Sequence, residues 1–66
     1  MKNSIRVERA KLRETQQNLA DAVGITRQSV HAIENDKYVP SAVLAIKIAR
    51  HFGVKVEDIF FIEDTD

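Results

Sequence analysis

The segment from Gln16 to Asn35 constrains the fold of this chain more than any other part of the sequence. Its apolar residues recur at helical spacing on both sides of Gly24, and glycine readily takes the left-handed backbone conformation that ends a helix. Thr15 and Thr26 stand where N-terminal caps are needed. The pattern therefore predicts two short helices, 16–23 and 27–35, which pack on each other through six apolar positions: Leu19, Ala20, Val23, Ile25, Val30 and Ile33.

The rest of the chain is also predicted to be helical. Apolar spacing and capping residues predict a first helix over about 5–13, a fourth that follows the cap Ser41 and runs to residue 52, and a fifth over 56–60. No strand is indicated, and we expect the acidic tail 61–66 to fray. The 66 residues therefore predict a single domain, all-α and compact, with five helices.

Charge and residue content narrow the possible functions. Ten Lys and Arg balance ten Asp and Glu, but residues 1–40 carry a net charge of +2 and residues 41–66 a net charge of −2. We expect the acidic end to point away from any polyanion. The chain has no cysteine, and His31 and His51 lie far apart, so we expect no metal, no cofactor and no enzymatic activity.

No apolar run is long enough for a membrane span, and no signal-peptide pattern is present. We therefore expect a cytoplasmic protein that has no membrane partner. No small-molecule ligand is evident from the sequence.

The second helix of the 16–35 pair has two distinct faces. One side holds Val30, Ile33 and Glu34 and must face the core, whereas the other side carries a compact polar patch. In a helix-turn-helix, the second helix lies in the major groove of DNA and its N-terminal residues contact the bases. Gln suits the hydrogen-bonding edge of adenine, Arg that of guanine, and a small apolar side chain the thymine methyl group. We predict base contacts from Arg27, Gln28, His31 and Ala32.

Polar residues on either side of this helix are predicted to contact the phosphates of double-stranded DNA. Gln16 and Gln17 begin the preceding helix, whose free backbone N–H groups attract phosphate oxygens. Asn35 and Lys37 follow the second helix and add an amide donor and a positive charge. These four residues are the predicted phosphate contacts.

The chain resembles the Xre/Cro-type helix-turn-helix family of phage-repressor-like regulators over about residues 5–60. The resemblance implies a lambda-repressor-like domain that binds a two-fold operator, with Gln16, Asn35 and Lys37 at the backbone and Arg27, Gln28 and Ala32 at the bases. It also implies an ion pair between Arg9 and Glu34, and a carboxylate near the core does need a partner. The residues that carry the resemblance to the family are Ile5-Arg6-x-x-Arg9, Thr15-Gln16-x-x-Leu19-Ala20, Gly24-Ile25-Thr26-Arg27-Gln28-Ser29-Val30, Ile33-Glu34-Asn35, Pro40-Ser41, Ala49 and Phe52-Gly53-Val54.

The chain departs from the family pattern near its first helix. Family members usually carry leucine where Glu8 stands, and Gly-Leu where Arg13-Glu14 stands. We expect a thinner core under this helix, or a displaced helix end, with Leu12 as a possible compensation. A glycine is also usual where Asp36 stands, but Asp tolerates the left-handed conformation, so we expect the turn to be kept.

Apolar residues near the C-terminus predict a homodimer interface, because they offer more area than a short terminal helix can bury. The alternative is that they pack against the chain's own core. Phe61-Ile62 could also form a strand that pairs with its symmetry mate. The predicted interface consists of Val56, Ile59, Phe60, Phe61 and Ile62.

These observations predict a sequence-specific DNA-binding transcriptional regulator. We expect a repressor that binds a palindromic operator as a homodimer, with helix 27–35 in the major groove. The alternative is an antitoxin-like or other protein-interaction module, in which the C-terminal apolar patch binds a partner protein.

Overall fold

The computed structural model describes all 66 residues as five helices and two very short strands. The elements, in chain order, are β1 (Lys2–Asn3), α1 (Ile5–Leu12), α2 (Gln16–Val23), α3 (Arg27–Glu34), α4 (Ala42–Phe52), α5 (Val56–Ile59) and β2 (Phe60–Phe61). The predicted all-α, five-helix fold is confirmed, and the two strands are an addition to it.

Side-chain caps determine where α2, α3 and α4 begin. The Thr15 hydroxyl accepts a hydrogen bond from the Asn18 backbone N–H at 3.0 Å, and the Asn18 side chain accepts one from the Thr15 backbone N–H at 3.0 Å. Thr26 and Ser41 accept similar bonds from backbone groups three residues ahead, at 3.1 and 3.2 Å. Each such cap contributes about 1 kcal/mol, and each was predicted from the sequence.

The core lies between α2, α3 and α4, and α1 contributes little to it. Ile5 is the only fully buried residue of α1. Leu12 remains 55% exposed, so it does not compensate for the missing leucine at Glu8. The buried apolar residues are Ile5, Leu19, Ala20, Val23, Val30, Ile33, Leu44, Ala45, Ile48, Ala49, Ile59 and Phe60.

A two-stranded antiparallel ribbon joins the ends of the chain, which the sequence analysis did not predict. Lys2 is opposite Phe61 and Asn3 is opposite Phe60, and the Ser4 backbone N–H donates to the Ile59 carbonyl at 2.9 Å. The fifth helix therefore ends at Ile59, one residue earlier than predicted. Aromatic residues at 60 and 61 favour extended backbone, and the N-terminal strand supplies their hydrogen-bond partners.

The ribbon changes two expectations about the C-terminal segment. Phe61 pairs with Lys2 of its own chain, whereas the sequence suggested pairing with a symmetry mate. The tail that we expected to fray returns to the N-terminus, where the Met1 amino group donates to Asp66 Oδ1 at 3.0 Å.

Two residues other than glycine adopt the left-handed conformation at helix ends. Asp36 has φ 61°, so the turn after α3 is kept without glycine, as predicted. Arg13 has φ 55° and caps the end of α1, where the Glu14 backbone N–H donates to the Arg9 carbonyl at 2.9 Å. A side chain in this conformation costs about 1–2 kcal/mol relative to the right-handed form.

Replacing Arg13 with glycine should therefore stabilise the chain. We expect Arg13→Gly to increase the free energy of unfolding by up to about 1 kcal/mol, because glycine removes the clash of Cβ with the backbone. A melting temperature higher by about 4 °C in circular dichroism would show this gain. Ala10→Gly, inside α1, is the matched control and should lower stability by about 1 kcal/mol. An equal loss in both variants would contradict the strain at Arg13.

Candidate nucleic-acid interface

The outward side of α3 is mostly polar and accessible. Arg27, Gln28 and His31 are exposed and Ala32 is half-buried; we call these four residues the reading face. On the opposite side of the same helix, Val30 and Ile33 are fully buried. The apolar residues thus fix the rotation of α3 about its axis and leave the reading face free for a ligand.

The N-terminus of α2 meets the reading face at a shallow polar depression. Gln16, Arg27, Gln28 and His31 line it, and no apolar side chain contributes. The capping box at Thr15 fixes the start of α2, and Gly24, with φ 78°, makes the turn that brings α3 alongside. Three of the four predicted base contacts and one predicted phosphate contact therefore lie together in the structure.

A buried ion pair holds α3 to α1. Arg9 Nε donates to Glu34 Oε2 at 2.7 Å, and Arg9 Nη2 donates to Glu34 Oε1 at 3.0 Å. The Glu34 side chain is only 1% exposed and the Arg9 side chain 14%. Arg9 Nη1 also donates to the Glu14 carbonyl at 2.8 Å, so one guanidinium joins three segments. This is the pair that the sequence analysis predicted.

The surroundings of Glu34 favour its ionised form. Burial by itself would raise the pKa of the Glu34 carboxyl, but hydrogen bonds from Arg9 and Gln16, with the nearby charges of Arg9 and Arg6, outweigh burial and hold the pKa below its ordinary value. The hydrogen bond to Glu34 also raises the pKa of Arg9. Both members of the pair therefore stay charged at neutral pH.

The predicted phosphate contacts differ in whether their side chains are already bound by other groups of the chain. Lys37 is exposed and makes no ion pair within the chain. The Gln17 amide donates to Asp21 Oδ1 at 2.8 Å. The Asn35 amide donates to the His31 carbonyl at 2.8 Å, so it caps the end of α3 with one of its two N–H groups. Lys37 is thus the most available of these side chains.

Two members of the predicted dimer interface are in the core of the chain itself. Ile59 is fully buried and Phe60 nearly so, because α5 and the ribbon fold back onto α4, and the prediction of an exposed patch was wrong for both. Val56 is half-buried against the core. Phe61 and Ile62 remain accessible, at 44% and 84%. The exposed part of the predicted surface is therefore reduced to the end of the ribbon.

Sequence reasoning missed the contacts that the N-terminal segment makes with the end of α3. The Asn3 amide donates to the Ile33 carbonyl at 2.8 Å, and Lys2 Nζ lies 2.8 Å from Asp36 Oδ2. These contacts span 30 and 34 residues of sequence. No local pattern marks residues 2 and 3, since they acquire these roles only when the ribbon forms.

The stability of the chain should fall in acid because of Glu34. Its pKa is lower in the folded chain than the ordinary 4.5, so the unfolded chain binds the proton more readily. The stability from this pair is complete above about pH 4.5 and is lost as the pH falls through the folded pKa. At pH 7 we expect Glu34→Gln to lower the free energy of unfolding by about 1–3 kcal/mol.

The comparison of urea unfolding at pH 7 and pH 3 provides the measurement. The deficit of Glu34→Gln relative to the unmodified chain should shrink as the pH falls, because the stability that ionised Glu34 contributes is lost as the pH falls through its folded pKa. Asp64→Asn, in the exposed tail, is the control and should unfold as the unmodified chain does at both pH values. A deficit that does not change with pH would contradict the assignment to Glu34.

Comparison with known proteins agrees with this geometry. The family model described as "Helix-turn-helix" matches residues 5–59. The chain is 52% identical over 66 residues to the "Uncharacterized HTH-type transcriptional regulator MJ0272" of Methanocaldococcus jannaschii, and the match covers all of both chains. It is 47% identical over 64 residues to the "Uncharacterized HTH-type transcriptional regulator YgzD" of Bacillus subtilis, with 97% of each chain covered.

A further relative belongs to Archaeoglobus fulgidus. This "Uncharacterized HTH-type transcriptional regulator" is 44% identical over 66 residues, and the match covers all of this chain and 93% of the relative. No helix of the structure has the length and apolar character that crossing a membrane requires. The extent of the family match, together with the helix pair, shows that the chain belongs to the Xre/Cro-like family of helix-turn-helix transcriptional regulators.

Proposed function

We propose that this chain represses transcription by binding a palindromic operator as a homodimer, with α3 in the major groove. The observation that carries the proposal is the division of α3 into a buried apolar side and an exposed polar reading face. The buried Arg9–Glu34 pair opposes rotation of α3 about its axis, so the reading face keeps one orientation. A rigid polar helix face is what direct readout of base edges requires.

Each member of the reading face has a role that follows from its chemistry. The Arg27 guanidinium makes no ion pair in the chain and suits O6 and N7 of guanine. The Gln28 amide suits N6 and N7 of adenine, and His31 can donate or accept according to its tautomer. Ala32 permits close approach and can touch a thymine methyl group.

Phosphate contacts would position this face in the groove. The start of α2 lies close to Arg27, because Gln16 and Arg27 line the same depression, and its free backbone N–H groups carry the positive end of the helix dipole. Lys37 supplies a free positive charge after α3, and Gln17 and Asn35 supply amide donors. These contacts give affinity without sequence preference, whereas the reading face gives the preference.

A homodimer would supply the second half of the binding surface. A single domain of this size contacts few base pairs. Related dimers place two recognition helices about 34 Å apart in successive major grooves. Phe61 and Ile62 project from the ribbon, and Val43 and Ile46 are exposed on α4. We assign the dimer contact to the end of the ribbon, because Ile62 is the most exposed large apolar residue of the chain.

Loss of a reading-face side chain should relax specificity at one operator position. Arg27→Ala and Gln28→Ala should each cost about 1–3 kcal/mol of binding free energy at the base pair that the side chain contacts, and little elsewhere. Selection from a random DNA pool, followed by affinity measurements on single-base variants of the consensus, provides the test. Lys55→Ala, which removes one charge before α5, is the matched control and should leave the base preference unchanged. Unaltered selectivity in both reading-face variants would refute the groove assignment.

A charge at the end of the ribbon should prevent dimerisation. Ile62→Glu places a carboxylate at the proposed contact without disturbing the core, because Ile62 is 84% exposed. Sedimentation equilibrium should then give the mass of the monomer, and operator affinity should fall. Val7→Glu, on the exposed side of α1, is the control and should leave the dimer intact. A dimer mass for Ile62→Glu would show that the interface does not lie at the end of the ribbon.

A further inference from the structure

The outward face of α4 is half apolar and half basic, and the folded chain leaves it uncovered. Val43, Ile46, Lys47 and Arg50 stand at positions i, i+3, i+4 and i+7, which lie on one side of a helix. All four side chains are exposed, whereas the opposite side of α4 is buried in the core. We call these four residues the α4 face.

The two basic residues of the α4 face have no partner within the chain. Neither Lys47 nor Arg50 forms an ion pair. Both line an open depression between α4 and the C-terminal end of α2, in which Asp21 is the one acidic residue. The α4 face therefore offers unpaired positive charge beside exposed apolar side chains.

The end of the ribbon has the opposite charge. Phe61 and Ile62 are exposed, and Glu63 follows them directly. The Glu63 carboxylate lies 3.6 Å from the Met1 amino group, and its side chain remains partly accessible. No ion pair joins it to the α4 face of its own chain. One surface thus combines apolar side chains with an acid, and the other combines them with bases.

Symmetry restricts how two copies of the chain can use these surfaces. In a closed two-fold dimer, each contact is made twice, with the roles of the two chains exchanged. If the two ribbon ends met, Glu63 would lie near its own copy, and if the two α4 faces met, Lys47 and Arg50 would lie near theirs. Like charges that are brought together in this way oppose binding. A contact between a ribbon end and an α4 face instead brings opposite charges together on both sides of the dimer.

We propose that, in the homodimer, the end of the ribbon of each chain packs on the α4 face of its partner. Phe61 and Ile62 cover the apolar half of that face, and Glu63 forms ion pairs with its basic half. The inference rests on the proposed homodimer and deepens it, since it names the surface that receives the end of the ribbon. A second copy of the chain fits this surface in both polarity and charge.

Reversal of one charge on the α4 face should weaken the dimer. In Arg50→Glu an acid faces Glu63 in both contacts, so the dissociation constant of the dimer should rise about tenfold per contact, or about a hundredfold in all. Sedimentation equilibrium measures this constant. Arg50→Gln, which removes the charge without reversing it, should weaken the dimer less and make it less sensitive to salt.

Lys11→Glu is the matched control for Arg50→Glu. It reverses a charge in the last turn of α1, as Arg50→Glu does in the last turn of α4, and it should leave the dimer unchanged. A dissociation constant that is the same for Arg50→Glu as for the unmodified chain would overturn the inference.

A mixture of two charge-reversed chains provides the sharpest test. Glu63→Arg should weaken the dimer as Arg50→Glu does. In a mixed dimer of these two variants, one contact joins the two unchanged surfaces and the other joins the two reversed surfaces, so opposite charges meet in both. Native mass spectrometry should show mixed dimers at concentrations at which each variant alone is monomeric, and their formation would show that both variants fold. A mixed dimer no stronger than either homodimer would overturn the inference.

These outcomes are distinguishable from failure of the proposed function. If the unmodified chain is a monomer both in solution and on its operator, the proposed homodimer and this inference fail together. If Ile62→Glu gives monomers while Arg50→Glu remains as dimeric as the unmodified chain, the end of the ribbon is the dimer contact but does not meet the α4 face. In that case this inference alone fails.

Discussion

One buried ion pair joins α1 to α3 and supports the orientation that the apolar side of α3 already favours. Two charges removed from water are costly, and the cost is offset only where geometry and further hydrogen bonds are good. Arg9 meets that condition by donating twice to Glu34 and once to the Glu14 carbonyl. In a chain that buries only one residue of α1, this pair supplies what apolar packing does not. It also gives α1 a function, since α1 anchors the helix that carries the reading face.

The features that the sequence revealed are those that arise from local interactions. The starts of α2 and α3 follow from Thr15 and Thr26, whose hydroxyls bond to groups three residues ahead. The reading face follows from the helical period alone. The ribbon was missed because Lys2 and Asn3 meet their partners across almost the whole chain, and the assignment of Phe60 to an interface was wrong for the same reason.

Zero net charge is compatible with a surface that binds DNA, because the acidic residues near α3 are neutralised by ion pairs within the chain. Glu34 is paired with Arg9, and Asp36 is paired with Lys2 at 2.8 Å. Arg27 at the start of α3 and Lys37 just after its end form no ion pair. The charges next to α3 that have no partner are therefore positive although the total is zero, and phosphates respond mainly to charges within a screening length of about 8–10 Å.

The N-terminal segment links the reading helix to the proposed dimer contact. Asn3 bonds the Ile33 carbonyl at the end of α3, and its strand neighbour Lys2 is paired with Phe61 in the ribbon. A contact made at the end of the ribbon is thus separated from α3 by one strand and a few direct hydrogen bonds. Such a short connection leaves little freedom between the dimer contact and the reading face. If two chains meet there, the distance between their α3 helices is determined by the folded monomer, as a palindrome of fixed half-site spacing requires.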